Sequence, residues 1–118
     1  MKKKILVTDD DPFLRDLFRF ILEEAGYEVE VLSDGTQIIE NHYNTPDLFL
    51  LDKQLPGIDG LDICKHLKSQ KNTKDIPVIM ISANIGVDTQ AKEAGADAFI
   101  EKPFEKKDLL EMVEGYIH

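Results

Sequence analysis

The chain has 118 residues, 42% hydrophobic and 31% charged, which suits one compact domain with its own core and leaves little room for a second. Its 14 Lys and Arg stand against 23 Asp and Glu, a formal net charge of −9 that repels nucleic acid and anionic membrane and argues against both as direct partners. A single cysteine, Cys64, precludes an intrachain disulfide, and no apolar run approaches the length of a membrane span.

Taken in chain order, strand-like and helix-like segments alternate. Lys2-Lys3-Lys4 leads into Ile5-Leu6-Val7, a short buried strand whose three apolar residues are far too few for the core of a signal peptide. With a reducing compartment fitting the lone thiol, a cytoplasmic location is expected. Asp11-Pro12 reads as an N-cap followed by proline at the first helical position. Phe13, Leu17, Phe20 and Ile21, with Leu14, Phe18 and Leu22, then recur at helical spacing until Gly26. Phe13, Phe18, Phe20 and Phe49 are all expected in the core. Tyr27 to Leu32 alternates Val29 and Val31 with Glu28 and Glu30, the pattern of a half-exposed edge strand. A turn at Ser33-Asp34-Gly35 precedes a short helix over 36–42.

Leu48 to Leu51 is a fully apolar strand that stops at Asp52, and Leu55-Pro56-Gly57-Ile58-Asp59-Gly60 is a loop of turn residues. Leu61, Cys64, Leu67 and Lys68 mark a third helix. Val78 to Ile81 is a strand ending on Ser82, followed by a loop at 83–86 and a helix from Val87 to Ala94 closed by Gly95. Ala98 to Glu101 is the fifth strand and leads to Lys102-Pro103. Leu109, Leu110, Val113 and Ile117 place the last helix over 105–117.

Five successive strand–helix units with apolar central strands predict an α/β fold: one doubly wound, flavodoxin-like parallel sheet over residues 1–118, covered by helices on both faces. The order 2-1-3-4-5 puts the amphipathic second strand at an edge and a topological switch point between strands 1 and 3. Ligands of such sheets bind outside the carboxyl ends of the strands. There the sequence sets Asp9, Asp10 and Asp11 after strand 1, Asp52 after strand 3, Ser82 after strand 4 and Lys102 after strand 5.

Asp11 is explained by its capping position. Asp9, Asp10 and Asp52 crowd like charges into one pocket, and a hard cation with oxygen ligands, such as Mg²⁺, relieves that repulsion. Asp52 alone would pass for a turn-initiating aspartate, yet a carboxylate in this position can also act as a nucleophile and form an aspartyl phosphate. Ser82 and Lys102 alone would pass for a strand-end hydroxyl and a solvated lysine. Together they offer a hydrogen-bond donor and a point charge to a phosphoryl group. The Lys102-Pro103 bond is a candidate for the cis form. His42, His66 and His118 are scattered, Cys64 and His66 share no helix face, and no P-loop or G-x-G-x-x-G occurs, so zinc and nucleotide binding have no support.

Ile5-Leu6-Val7-Thr8-Asp9-Asp10-Asp11-Pro12, Leu51-Asp52, Leu55-Pro56-Gly57-Ile58-Asp59-Gly60, Ile81-Ser82-Ala83 and Lys102-Pro103-Phe104 resemble, in that order and across the whole chain, the receiver domain of bacterial response regulators. The resemblance implies that Asp52 is a phosphoacceptor, loaded from a phosphohistidine on a sensor histidine kinase or a histidine phosphotransfer protein. It implies that Asp10, Asp52 and the backbone carbonyl of Gln54 bind Mg²⁺, with Asp9 acting mainly through water. Ser82 and Lys102 would hold phosphoryl oxygens. Ser82 and Phe99 would form a switch that shifts the face made by the fourth helix, fifth strand and fifth helix, which controls an effector and offers a surface for a homodimer. Such a protein is a switch and not an enzyme, beyond catalysing its own phosphorylation and dephosphorylation. Lys53 departs from the apolar residue common after the acceptor, and Gln54 and Asn84 stand at variable positions that bear on phosphoryl lifetime.

Two readings compete. Asp9-x-Asp11 superficially fits the start of a Mg²⁺-dependent haloacid-dehalogenase-like phosphatase, although Pro12-Phe13 departs from that pattern and no cap domain is present in this sequence. A phosphorylation-independent binding module that kept the fold is the other, and the complete set of acids with Lys102 argues against it. Whether the chain is a stand-alone regulator or part of a longer protein stays open.

Overall fold

The computed structural model describes residues 2–84 and 86–117; Met1, Ile85 in the loop at 83–86, and His118 lie outside the described residues. The elements run β1 (Lys4–Thr8), α1 (Pro12–Glu24), β2 (Glu28–Leu32), α2 (Thr36–Ile39), β3 (Leu48–Asp52), α3 (Gly60–Ser69), β4 (Val78–Ser82), α4 (Val87–Glu93), β5 (Ala98–Glu101) and α5 (Lys106–Tyr116). All five strands are parallel in the order β2-β1-β3-β4-β5, the flavodoxin-like arrangement expected from the sequence. Three boundaries differ in ways that matter. Asp52 and Ser82 are the last residues of their strands rather than the first of the loops, so sheet hydrogen bonding fixes their backbones. Helix α2 ends at Ile39, where Asn41 takes a left-handed φ of 60°.

Alternation along the strands sorts the core into two layers. Ile5, Val7, Leu48, Leu50, Ile79 and Ile81 face α1 and α5, meeting Phe18, Leu22, Leu109 and Val113. Leu6, Phe49, Leu51, Val78 and Met80 face the other way, toward Ile38 of α2, Ile63 and Leu67 of α3, and Ala91 of α4. Strand β3 is buried along its whole length, and β2 on the edge is not. Both follow from strand order, because only an inner strand has neighbours on both sides and helices on both faces.

Helix α1 starts where the sequence predicts. Asp11 accepts the Phe13 N–H at 2.9 Å, Pro12 sits in the first turn, and the chain turns away at Gly26 with φ 101°. The core assignment of two aromatics is corrected: Phe13 and Phe20 are 71% and 63% exposed, while Phe18 and Phe49 are fully buried. Phe13 and Phe20 are seven residues apart and share one face of α1. The buried face is instead set by Phe18, Ile21 and Leu22, which periodicity alone did not single out.

The amino-terminal edge of the sheet is tied by polar side chains. Asp47 accepts the Lys4 N–H at 2.7 Å. Asp97 accepts the Val78 N–H at 2.8 Å and pairs with Lys68 at 2.9 Å, while the Lys68 ammonium also donates to the carbonyl of Ile76. These bonds pin one end of the strands and leave the carboxyl ends open for the loops that carry the site.

Gly60, the first residue of α3, packs directly on the backbone at Asp52. A Cβ there would overlap the carbonyl oxygen of Asp52 and the Cα of Lys53. Gly60→Ala is therefore expected to lower stability by about 2 kcal/mol, read from urea unfolding, because the obstacle is backbone and cannot rotate aside. Cys64 is fully buried, and burial pushes its thiol up to about 11 despite the opposing charge of Lys68. It should react with a thiol-selective disulfide reagent only as the chain opens, so labelling rates should rise with urea in step with unfolding.

Candidate functional site

Four strand ends build the site. In the β1–β3 register Thr8 lies opposite Leu51, so Asp9 and Asp52 occupy the next positions on adjacent strands. Asp9 is fully buried and Asp52 nearly so, while Asp10 is exposed. One carboxylate oxygen from each of Asp9, Asp10 and Asp52 lies within 4.8 Å of the others. Lys102 leaves the end of β5, next to a cis Lys102–Pro103 bond, and reaches past β4 into this group. Its ammonium donates to Asp9 Oδ2 at 3.1 Å and to Asp52 Oδ2 at 3.0 Å.

The remaining oxygens are held by local backbone. Asp9 Oδ1 accepts the Asp11 N–H at 3.0 Å, and Asp52 Oδ1 accepts the Gln54 N–H at 3.1 Å. Both are turns in which an aspartate bonds the backbone two residues on, and they fix rotamers that a solvated acid would sample freely. Ser82 is buried at the end of β4, one residue beyond the Ile81 that pairs with Asp52, and its Oγ accepts the Asn84 N–H at 3.0 Å. Ser82 thus ends the strand next to β3, and among the described residues its hydroxyl makes no other hydrogen bond, leaving a proton to donate.

Charge and burial compete here. Burial pushes the Asp52 carboxyl up; the hydrogen bonds from Lys102 and the Gln54 N–H and the charge of Lys102 pull it down, the charge of Asp9 adds to the rise, and the net shift is upward. Burial would pull the Lys102 ammonium down, but Asp52 and Asp9 outweigh it and hold it above its ordinary value. Lys102 is therefore a firmly charged cation between two buried carboxylates, and one cation does not fully satisfy them.

The arrangement brings Asp9, Asp10, Asp52 and Lys102 together and sets Ser82 beside them, as the sequence suggested. Gln54 joins through its N–H and lines, with Asp10, Lys53 and the turn over 55–59, an open cavity of about 580 Å³. Phe99 is half-buried on β5, opposite Met80 of β4, and borders hollows of about 330 and 370 Å³ beside α4. Two contributors were not foreseen. Arg15 donates to the Asp9 carbonyl at 2.9 Å, and Lys53 pairs with Asp59 at 2.8 Å while Asp59 also caps α3 through the Leu61 N–H. Burial would raise the Asp59 carboxyl, but the hydrogen bonds from Lys53 and the Leu61 N–H hold it below the usual carboxylate value. The position of Arg15 four residues after the Asp11 cap, one helical turn on, was the available signal; nothing in the sequence paired Lys53 with Asp59.

A buried carboxylate, two flanking acids, a bridging lysine and a strand-end hydroxyl, at the carboxyl edge of a 2-1-3-4-5 sheet, define the receiver class of signalling domain. The chain belongs to the response regulator receiver domain family, whose model matches residues 5–114, and it is a phosphoacceptor switch of two-component signalling. It is 38% identical over 118 residues to the DNA-binding dual master transcriptional regulator RpaA of Synechocystis, covering 97% of this chain and 48% of that protein. It is 37% identical over 117 residues to the phosphate regulon transcriptional regulatory protein PhoB of Escherichia coli, covering 97% and 51%. The chain thus spans about half the length of the curated relatives it matches. Among solved structures, chemotaxis response regulator CheY4 of Vibrio cholerae superposes with a TM-score of 0.91 at 26% identity, covering 99% of this chain and 100% of that one. The receiver domain of a Pseudomonas aeruginosa sensor histidine kinase, with a magnesium ion coordinated in its active site cleft, gives 0.90 at 27% identity over 99% and 98%.

The upward shift of Asp52 has a sign that can be measured in metal-free protein. Between the ordinary carboxylate value and its raised native one, the folded chain holds a proton the unfolded chain has released, so stability falls as pH rises through that window. Asp52→Asn should consequently unfold at higher urea than wild type at neutral pH with chelator present, and the gain should vanish as pH drops below the ordinary carboxylate range.

Proposed function

We propose that residues 1–118 form one receiver unit in which Asp52 is the phosphoacceptor. The observation that carries this is the Lys102 ammonium 3.0 Å from Asp52 Oδ2, beside two further acids. In the transfer, a carboxylate oxygen of Asp52 attacks the phosphorus of a phosphohistidine; the new O–P bond forms as the P–N bond breaks, and the bonding electrons leave with the imidazole, which takes up a proton. Lys102 and the Ser82 hydroxyl hold phosphoryl oxygens as charge shifts onto them. The domain acts on no external substrate beyond promoting its own phosphorylation and dephosphorylation.

Three carboxylate oxygens within 4.8 Å suit a hard divalent cation, and Mg²⁺ fits sites of one or two carboxylates completed by waters and a phosphate. Asp10, Asp52 and the Gln54 carbonyl would hold it. Asp9, fully buried behind the exposed Asp10, would act through water. Bound there, the ion supplies neutralisation of the charge gathered on the phosphoryl group.

The donor protein is a sensor histidine kinase or histidine phosphotransfer protein. An apolar hollow of about 400 Å³ bounded by Leu14, Leu17, Pro103 and Phe104 opens against Lys102 and suits such a protein's docking. On phosphorylation Asp52 gains charge and acceptor oxygens. Ser82 would move inward to donate to them, and Phe99 has room beside α4 to follow. The α4–β5–α5 face then presents a different surface to an effector or a second copy, a shift between two conformers biased by the new phosphoryl contacts.

Phosphoramidate with Mg²⁺ should add one phosphoryl group to the intact chain by mass spectrometry. Asp52→Asn should add none, and Lys102→Met should slow uptake by about a hundredfold. An adduct that persists in Asp52→Asn but disappears in Asp9→Asn would move the acceptor to β1 and favour a phosphatase-like chemistry.

A further inference from the structure

The loop after the acceptor is closed at its neck by one residue. Lys53 holds the far end twice: its carbonyl accepts the Gly60 N–H at 2.8 Å, and its ammonium grips Asp59 Oδ2 at 2.8 Å. Its own N–H donates to the Ile81 carbonyl at 2.9 Å, so the holding residue is itself anchored to β4. Asp59 spends its other oxygen on the Leu61 N–H at 2.8 Å, which ties the same closure to the first turn of α3. Between these ends lie residues 54–58. They include Gln54, whose N–H orients Asp52, and they wall the cavity that Asp10 borders.

The ion pair is partly exposed, with the Lys53 and Asp59 side chains at 20% and 38%, so screening leaves it little net worth for global stability. What it restricts is the placement of the loop. A metal site depends on the groups that orient its ligands as much as on the ligands, and a loop carbonyl is only as well placed as the loop.

We propose that Lys53, through Asp59, is a positioning residue that latches the β3–α3 loop and so sets the affinity of the acidic pocket for a divalent cation. This rests on the reading of Asp10, Asp52 and Gln54 as the metal-binding group. The Lys53 ammonium is held by Asp59 rather than by Asp10 or Asp52, and it acts by keeping the Gln54 backbone where Asp10 and Asp52 can share an ion with it.

Two substitutions separate latching from simple charge. Lys53→Met keeps the aliphatic stem and removes the ammonium. Asp59→Asn keeps the oxygen that caps α3 and removes the carboxylate. If the pair acted only through its electric field, Lys53→Met would tighten Mg²⁺ by leaving Asp59 unneutralised, and Asp59→Asn would weaken it. A latch predicts the same direction for both. Titration calorimetry with MgCl₂ on the full chain should give roughly tenfold weaker binding in each variant, no further loss in the double variant, and near wild-type binding in Lys53→Arg.

Hydrogen exchange in metal-free protein gives a readout independent of the ion: the Gly60 amide should exchange faster in both single variants while α5 amides are unchanged. Opposite shifts in Mg²⁺ affinity, additive losses, or an unmoved Gly60 amide would each overturn the latch. A wild-type chain that binds no Mg²⁺ and accepts no phosphoryl group from phosphoramidate would overturn the reading of the pocket beneath it. Wild-type binding with both variants unaffected would overturn the latch alone.

Discussion

Two carboxylates from neighbouring strands, Asp9 and Asp52, are buried against each other, and the Lys102 ammonium bridges them at 3.1 and 3.0 Å. Without that cation, two like charges out of water would repel and one would take up a proton. The bridge is long in sequence, 93 and 50 residues, and it joins β1, β3 and the end of β5. It can form only if β5 lies on the β3 side of the sheet with a single strand between, a gap that the four-carbon arm of a lysine can cross. The strand order and the site are in this sense one constraint.

The rest of the molecule makes that edge affordable. Apolar residues fill both layers of the sheet and leave the carboxyl ends of the strands to polar side chains. At the opposite edge Asp47, Asp97 and Lys68 satisfy backbone groups at the strand starts. Asp11 and Asp59 serve as caps, which removes them from the pool of free acids and leaves Asp9, Asp10 and Asp52 as the convergent set. The tension left in this set, with more negative than positive charge beside an exposed Asp10, is what a divalent cation or a phosphoryl group with its counterion can resolve.

Signal output would draw on a different property. Ser82 ends β4 at the rim of the site, and Phe99 on the adjacent β5 is half-buried beside open volume. A core packed to uniform density offers no second arrangement, whereas a half-buried ring next to a hollow has one within reach. The same strand that delivers Lys102 to Asp52 thus carries Phe99 to the hollows beside α4, three residues away in the chain.

Alternating strand and helix patterns, the amphipathic β2, and polar residues at four strand ends were enough to reach the strand order and to single out Asp9, Asp10, Asp52, Ser82 and Lys102. They are local signals: side-chain period, turn chemistry and the rule that parallel crossovers are right-handed all act over short stretches of chain. What tertiary structure alone decided were the contacts whose partners have no fixed spacing. Phe13 and Phe20 belong to the helical repeat of α1 yet face solvent, because the sheet takes the stripe of Phe18, Ile21 and Leu22, flanked by Leu14 and Leu17. Lys53 reads as an odd charge beside Asp52 until the loop folds back and Asp59 meets it, and Arg15 reads as a surface residue until it reaches the Asp9 carbonyl. Sequence periodicity states which side of an element is apolar; which polar atoms converge depends on how far each element is rotated and shifted against the next, and that is settled only by packing.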